Sequence, residues 1–334
     1  MNKYIYELSR LGINLQNKTL NDNYDSIEKI GSGGHGNIYK IKDKYTEKIY
    51  VAKVTNISEI FEIYFYIITQ CAHPNLICLH DYFVGKRNKL YLIYDYIPGS
   101  YELNKLHYEA YTSQLYIDYL IKVLLDVSSA LKYIHSKGIL HLDIKSSNIL
   151  ITLPALPTLP TLPASNLSRN NIDVNQIKGY LIDYGFACLK DIKSYSSEYD
   201  PYSCVNNFPY RTKYRYYSPE LINRSVPIDK ITTSSDIYSL GITIHDCMLN
   251  PYILNDIYKY QYVFQCEADE LNNEYSLFLN KYHISPIQRV ENILIASTHK
   301  YAKALFNLSI KMTRYDPEER LTIDQIIDTL SRFN

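Results

Sequence analysis

Strand-like and helix-like patterns alternate along this chain. Tyr24 to Ile30 gives a first strand signal, and Ile38-Tyr39-Lys40-Ile41 follows it across a glycine-rich turn, so the two are predicted to form a hairpin. Ile49-Tyr50-Val51-Ala52-Lys53 is an apolar run closed by a charge, which also reads as a strand. Ile57, Ile60, Phe61, Tyr64, Ile67, Ile68 and Cys71 recur at helical spacing, predicting an amphipathic helix ahead of the turn His73-Pro74-Asn75-Leu76. Leu90 to Ile97 is a continuous apolar and aromatic run that ends at Pro98-Gly99, as a buried strand does. From Tyr116 to Ser136 the apolar positions (Ile117, Leu120, Ile121, Leu124, Leu125, Val127, Leu131, Ile134) return to helical intervals over a length that suits a core helix.

One segment breaks the pattern. Between Ile149-Leu150-Ile151 and Tyr180-Leu181-Ile182 lies Thr152-Leu153-Pro154-Ala155-Leu156-Pro157-Thr158-Leu159-Pro160-Thr161-Leu162-Pro163, followed by a polar Ser/Asn stretch. Regular prolines withhold backbone donors and fix φ, so neither a helix nor a central strand forms, and extended polyproline geometry is favoured. Residues of about 152 to 176 are read as an exposed insertion at a tolerant loop tip. A docking segment for a proline-binding partner is the other reading.

At 334 residues the chain is long enough for about two domains of roughly 150 residues each. Lys plus Arg (35) equals Asp plus Glu (35), so the formal charge gives no electrostatic reason to expect nucleic acid or an anionic membrane as partner. The six cysteines have neither zinc-site spacing nor the density of a disulfide scaffold. Reduced, mostly buried thiols are expected, and with them a cytoplasmic location. Lys3, Glu7 and Arg10 interrupt the first segment, so no signal peptide is read there, and no later run is apolar enough to cross a bilayer. The 36 tyrosines, beside no tryptophan, are read as the codon bias of an AT-rich genome and not as a recognition surface.

The candidate chemistry lies in His141-Leu142-Asp143-Ile144-Lys145-Ser146-Ser147-Asn148 and, downstream, Asp183-Tyr184-Gly185. Two acids, a lysine and an amide at this spacing suit phosphoryl transfer, which needs a carboxylate to orient the attacking hydroxyl, oxygen ligands for magnesium and positive charge on the phosphates. Asp143 can take the first role, Asn148 and Asp183 the second, and Lys145 can reach the transferred phosphate. Gly31-Ser32-Gly33-Gly34-His35-Gly36 precedes them. Such a glycine pattern also matches ordinary turns, but β-prone runs flank it and no helix pattern follows, which argues against a dinucleotide fold and for a loop over phosphates at a hairpin tip.

At these residues the chain resembles the eukaryotic-type protein kinase family, over about residues 24 to 332. The resemblance implies an α+β, bilobal fold: residues 24–97 as a small antiparallel sheet with one helix, residues 98–334 as a mainly helical lobe, and residues 1–23 as an extension. It implies ATP and Mg2+ as cofactors, a protein substrate as partner, and neither nucleic acid nor membrane. ATP would be held by Gly31, Ser32, Gly33, Gly34, Gly36, Ile38, Ala52 and Lys53, by Tyr94 guarding the back of the adenine pocket, and by the backbone of Asp95 to Ile97. Asp143 and Lys145 would be catalytic, and Asn148 and Asp183 would bind the metal. Asp236, in Asp236-Ile237-Tyr238-Ser239-Leu240-Gly241, would accept hydrogen bonds from the catalytic-loop backbone, and Glu220 of Ser218-Pro219-Glu220 would pair with Arg320.

Three positions depart from the family pattern. The helix should supply a glutamate to Lys53, but counting back from His73 by the family's interval lands on Tyr64. Glu59 and Glu62 are the nearby acids, and either needs a shifted helix or a longer following loop, with Glu62 taken as the candidate. Leu142 stands where many members carry the arginine that binds a phosphorylated activation loop, so activity independent of that phosphorylation is expected. Lys213 stands where a threonine is common before Pro219, with Thr212 one place earlier. Lys145 favours Ser/Thr over Tyr as acceptor. The rival reading is a pseudokinase, a nucleotide-binding scaffold without turnover, supported by Tyr64 and Leu142 and opposed by the retention of Lys53, Asp143, Asn148 and Asp183. A kinase-like fold acting on a small molecule or lipid is a second rival, which the Ser218-Pro219-Glu220 and Arg320 elements fit less well.

Overall fold

The computed structural model describes residues 13–33, 36–105, 114–152, 174–190, 216–222, 230–248 and 300–333. Strands β1 (Gln16–Asn17), β2 (Tyr24–Gly33), β3 (Gly36–Asp43), β4 (Ile49–Asn56), β5 (Leu79–Gly85) and β6 (Lys89–Asp95) form one sheet in the order β1-β5-β6-β4-β3-β2. Helix α1 (Leu20–Asn23) joins the first two strands, and helix α2 (Phe61–Thr69) lies between β4 and β5. The pairings from β2 to β6 are antiparallel, while β1 runs parallel to β5, with Gln16 opposite Phe83. The end of the expected extension is therefore part of the sheet, and Ile13 is buried in the main core. No apolar alternation marks β1: Gln16 and Asn17 are exposed, and backbone hydrogen bonding to an open sheet edge places them.

Period-two alternation gives the sheet two different faces. Tyr50 and Ala52 of β4, Ile41 of β3, Ile93 of β6 and Phe83 of β5 share a small apolar cluster on one side. Leu90, Leu92 and Tyr94 of β6 turn the other way, into the main core with Ile60 and Ile63.

The remaining elements are β7 (Ser100–Glu102), α3 (Gln114–Ser136), β8 (Ile139–Leu140), β9 (Ile149–Thr152), β10 (Lys178–Leu181), β11 (Cys188–Leu189), α4 (Pro219–Ile222), α5 (Thr233–Met248), α6 (Ala302–Met312) and α7 (Ile323–Ser331). Helix α3 covers the predicted Tyr116 to Ser136, and its Leu120, Leu124, Val127, Leu131 and Ile134 are all buried. It packs on β10 and α7, and α5 packs on α6. At the α5–α6 contact a side chain at Gly241 would come within 2.7 Å of Thr313, so only glycine lets the helices approach this closely. Helix α7 begins with a reciprocal cap: Gln325 donates its backbone N–H to Thr322 Oγ1 (3.3 Å), and Thr322 donates its own to Gln325 Oε1 (2.8 Å).

The proline-rich segment leaves from the end of a hairpin, with Thr152 of β9 opposite Lys178 of β10; residues 153 to 173 lie outside the described residues. Cys71 and Cys78, expected as separate thiols, are joined in a disulfide. The His73-Pro74 turn reverses the chain and brings their Cα atoms to 5.0 Å, inside a disulfide's span. Cys188 and Cys247 are buried and lie outside that disulfide, and Cys204 and Cys266 lie outside the described residues. Among the described residues no helix is long and apolar enough to cross a membrane.

Candidate active site

Lys53 sits near the end of β4 on the face away from Ala52, almost wholly buried. Its Nζ is 2.7 Å from Glu62 Oε2, 2.9 Å from Asp183 Oδ1 and 3.4 Å from Glu59 Oε2. Burial alone would lower this lysine's pKa, but Asp183, Glu62 and Glu59 together hold it well above the usual lysine range. Glu62 has a fully buried side chain. Burial drives its carboxyl up to about 7, against the pull of Lys53.

The acid that reaches Lys53 is thus Glu62, two residues before the position that the count from His73 selected. Helix α2 stops at Thr69, and Gln70 (φ 49°) and Cys71 (φ 53°) follow in the left-handed region. These residues lengthen the link to His73 and turn the helix face accordingly. Tyr64 instead packs its ring against Phe65 at 6.0 Å between centroids.

The turn that carries Asp143 is built around helix α5. Asp236, fully buried near the start of that helix, accepts the N–H groups of His141 (2.8 Å) and Leu142 (2.7 Å) and pairs with His135 Nε2 at 2.9 Å. Leu142 adopts a positive φ of 58°. Its side chain lies with Leu140, Cys188 and Ile231 in an apolar cluster. His141 donates from Nε2 to the Ile182 carbonyl (3.1 Å) and accepts the Asp143 N–H at Nδ1 (3.3 Å). Acceptance at Nδ1 requires the neutral ring, and burial holds its pKa below the ordinary histidine value.

Asp143 makes a short contact through Oδ2 with Lys145 Nζ, and the same oxygen accepts from Asn148 Nδ2 at 2.8 Å. Asn148 Nδ2 also donates to the Asp143 carbonyl (2.8 Å), which leaves Asn148 Oδ1 as its amide oxygen for a cation. Asn148 is tied to the second acid through its backbone, because Ile182 donates its N–H to the Asn148 carbonyl at 3.1 Å. Asp183 follows with φ 70°, and its Oδ1 also accepts the Gly185 N–H at 3.2 Å. Lys53 thus meets Asp183, whose neighbour Ile182 is bonded through the backbone to Asn148, and Asn148 meets Asp143 beside Lys145.

The glycine turn is a hairpin tip: Gly31 pairs with Ile38, Ser32 with Asn37 and Gly33 with Gly36. Gly34 lies outside the described residues. Gly36 has φ +116°, and a Cβ there would fall 2.3 Å from the Val54 carbonyl, so no other residue fits. Ile38 pairs with Lys53 across β3 and β4. Ala52 is a correction. Strand alternation turns it into the small cluster with Tyr50 and Ile93, while Val51 shares the Lys53 face and stands opposite Tyr94. The signal was present in the two-residue period, since Val51 and not Ala52 is two positions from Lys53. Asp95 directs its side chain to Lys48 (3.0 Å) and its N–H to the Cys78 carbonyl (3.1 Å), and Ile97 accepts at its carbonyl from Ser100 N (3.2 Å).

Glu220 and Arg320 form the expected ion pair, with Nη1 to Oε1 at 2.7 Å and Nη2 to Oε2 at 2.8 Å. Arg320 also donates to the carbonyls of Arg314, Ser234 and Tyr315, and Ser235 donates to Glu220. Thr212 and Lys213 lie outside the described residues.

The model of the protein kinase domain matches residues 24–330. The chain belongs to the eukaryotic-type protein kinase family. Its antiparallel β2 to β6 sheet with α2, followed by largely helical structure, is the family's bilobal architecture. Human "Mitogen-activated protein kinase kinase kinase kinase 3" is 30% identical over 146 residues, covering 42% of this chain and 16% of that protein. "Probable serine/threonine-protein kinase glkA" of Dictyostelium discoideum is 24% identical over 314 residues, covering 91% of this chain and 57% of that protein. "Calcium-dependent protein kinase 5" of Plasmodium falciparum is 27% identical over 276 residues, covering 75% of this chain and 40% of that protein. This kinase-family chain thus spans less than two thirds of each of these relatives.

The residues present suit a magnesium-bound triphosphate. One ammonium shared among Asp183, Glu62 and Glu59 leaves a formal excess of negative charge, which a divalent cation offsets. Asp183 and Asn148 supply hard oxygen donors, and among the described residues no group of three or more His, Cys, Asp or Glu forms a closed metal site. Magnesium bound by one or two side chains together with substrate phosphates needs no more than this.

Proposed function

We propose that this chain is an active protein kinase that transfers the γ-phosphoryl group of ATP to serine or threonine hydroxyls of protein substrates. The observation that carries the reading is the Lys53 ammonium, held by Glu62 at 2.7 Å and by Asp183 at 2.9 Å, with the Ile182–Asn148 backbone hydrogen bond joining it to the cluster of Asp143, Lys145 and Asn148. A scaffold without turnover has no need to keep every one of these groups in register.

In this reading Lys53 fixes the α- and β-phosphates, and Glu62 prevents the lysine from swinging away. Asp183 and Asn148 hold magnesium, which neutralises the triphosphate charge. Asp143 orients the incoming hydroxyl and takes its proton, and Lys145, beside it, meets the charge on the transferred group. Gly31, Ser32, Gly33 and Gly36 cover the phosphates; Ile38, Val51, Tyr94, Asp95 and Ile97 line the adenine site. Lys145 supports serine or threonine as acceptor, and of the relatives named above the Dictyostelium discoideum protein carries the words "serine/threonine-protein kinase" in its name. The segment from Thr152 to Pro163 would serve as a docking segment for a proline-binding partner.

The test is to incubate wild type and Asp143→Ala with labelled ATP, magnesium and a peptide library, then identify the modified residue. Phosphoserine or phosphothreonine from wild type alone is the expected result. Equal signal from both proteins, or none from wild type, refutes the activity.

A further inference from the structure

We propose that the hydroxyl of Tyr94 is a positioning group for phosphate binding: it holds Glu62, and through Glu62 it holds Lys53. This rests on the reading of Lys53 as the phosphate-binding lysine, and it adds a residue that the lysine–glutamate pair alone does not include.

Glu62 has two oxygens and two donors. Oε2 takes Lys53 Nζ at 2.7 Å, and Oε1 takes the Tyr94 hydroxyl at 3.0 Å. Its side chain is fully buried, so water does not replace a donor that is lost. The tyrosine is fixed as well. It comes from β6, is buried, and its ring lies 5.1 Å from that of Tyr66, one helical turn after Glu62 on α2. Tyr66 in turn meets Tyr184, the residue after Asp183, at 4.6 Å. Strand β6 thus grips helix α2 at two successive turns, by a hydrogen bond at Glu62 and by ring packing at Tyr66.

The hydroxyl matters because Lys53 has competing partners. Asp183 and Glu59 also lie within 3.4 Å of its Nζ. A Glu62 anchored at one oxygen only is free to rotate about its terminal bonds, and Lys53 then follows whichever acid remains in place. Tyr94 removes that freedom by fixing the second oxygen. A phenylalanine would fill the same space and keep the ring contact with Tyr66 while deleting the anchor alone.

The experiment compares ATP with adenosine, which lacks phosphates. Dissociation constants of both are measured by calorimetry, with magnesium, for wild type, Tyr94→Phe, Glu62→Ala and the double variant. Tyr94→Phe is expected to weaken ATP about tenfold, the scale of one lost hydrogen bond to a buried charged group, and adenosine by less than about twofold. In the Glu62→Ala background the same change is expected to do nothing further. Equal weakening of ATP and adenosine would mean that Tyr94 only shapes the adenine pocket, and an equal loss in both backgrounds would mean that it does not act through Glu62; either overturns the proposal, as does a Tyr94→Phe protein that binds ATP normally. No turnover enters these measurements. A wild type that binds ATP in preference to adenosine yet transfers no phosphate refutes the enzyme reading and leaves this one standing, whereas a wild type without that preference overturns this one.

Discussion

Asp236 accepts the backbone N–H of Leu142 at 2.7 Å across 94 residues of sequence, and that bond holds Leu142 at a positive φ of 58°. A left-handed conformation is unfavourable for a leucine and persists only where the surroundings enforce it. The same carboxylate takes His141 N, so two successive donors of the catalytic turn end on one buried acid. Asp143 is the next residue, and its direction is set by that arrangement.

Replacing Asp236 by alanine leaves both N–H groups and His135 without their acceptor. The expected cost is about 2 to 4 kcal/mol in urea unfolding, with a loss of phosphoryl transfer larger than the fraction unfolded accounts for. Asparagine, which keeps one acceptor oxygen, is expected to fall between alanine and wild type in both measurements.

Arg320→Met removes one partner of a buried, doubly hydrogen-bonded ion pair and strands Glu220. A loss of about 3 to 5 kcal/mol is expected. Burial works against ionised Glu220, but Arg320 and Ser235 outweigh it and keep its pKa below the usual glutamate value. The pair therefore stabilises the fold above the ordinary glutamate pKa, and that contribution fades as pH falls through the depressed value. Acid unfolding of Arg320→Met should lack this component.

Burial lowers the pKa of His245 to about 4 from the ordinary histidine value of 6.5. Between these values the unfolded chain binds a proton that the native chain does not, so stability falls as pH drops from 6.5 to 4. The full effect is about 3 kcal/mol. Glu62 acts in the opposite sense, because its carboxyl, raised from 4.5 to about 7, binds a proton in the native state first and gains stability as pH falls through that range. Denaturation of His245→Phe at a series of pH values isolates the first effect: its stability should rise relative to wild type as the solution is acidified. A constant difference between the two proteins would contradict the assignment.

Leu142→Arg places a guanidinium in the apolar cluster of Leu140, Cys188 and Ile231. It should lower the melting temperature and should not create dependence on phosphorylation. Wild type treated with a phosphatase should retain its transfer activity, since Leu142 cannot bind a phosphate. Loss of most activity on that treatment would show another cationic group in the role.

Replacing residues 153–172 by a short turn should leave transfer activity within about twofold, because β9 and β10 remain paired from Thr152 and Lys178 inward. A large loss would make the proline-rich segment part of the working enzyme.

Much of this was legible in the residues. Period-two and helical patterns located β2, β3, β4, β6 and α3, and the spacing within 141–148 brought Asp143, Lys145 and Asn148 together, because loop residues a few positions apart cannot separate far. Glu62 was legible only as one of two acids, since the left-handed residues Gln70 and Cys71 alter the link to His73 without any glycine to announce it. Val51 and Ala52 are neighbours in the sequence, and only the two-residue period tells that Val51 shares the Lys53 face. β1 was missed because an edge strand held by backbone bonds needs no apolar pattern.

The sequence by itself determined most of the central strands, the long helix α3, the family and which residues the catalytic turn carries, all of which follow from short-range spacing and side-chain chemistry. Only the tertiary structure decided which acid meets Lys53, that Tyr94 holds that acid, and which two backbone donors Asp236 accepts. These are contacts between residues remote in sequence, fixed by how helix α2 is rotated on the sheet and how α5 approaches the turn. Burial then gives each its weight, because a charge removed from water is tied to whichever donor the packing brings within reach.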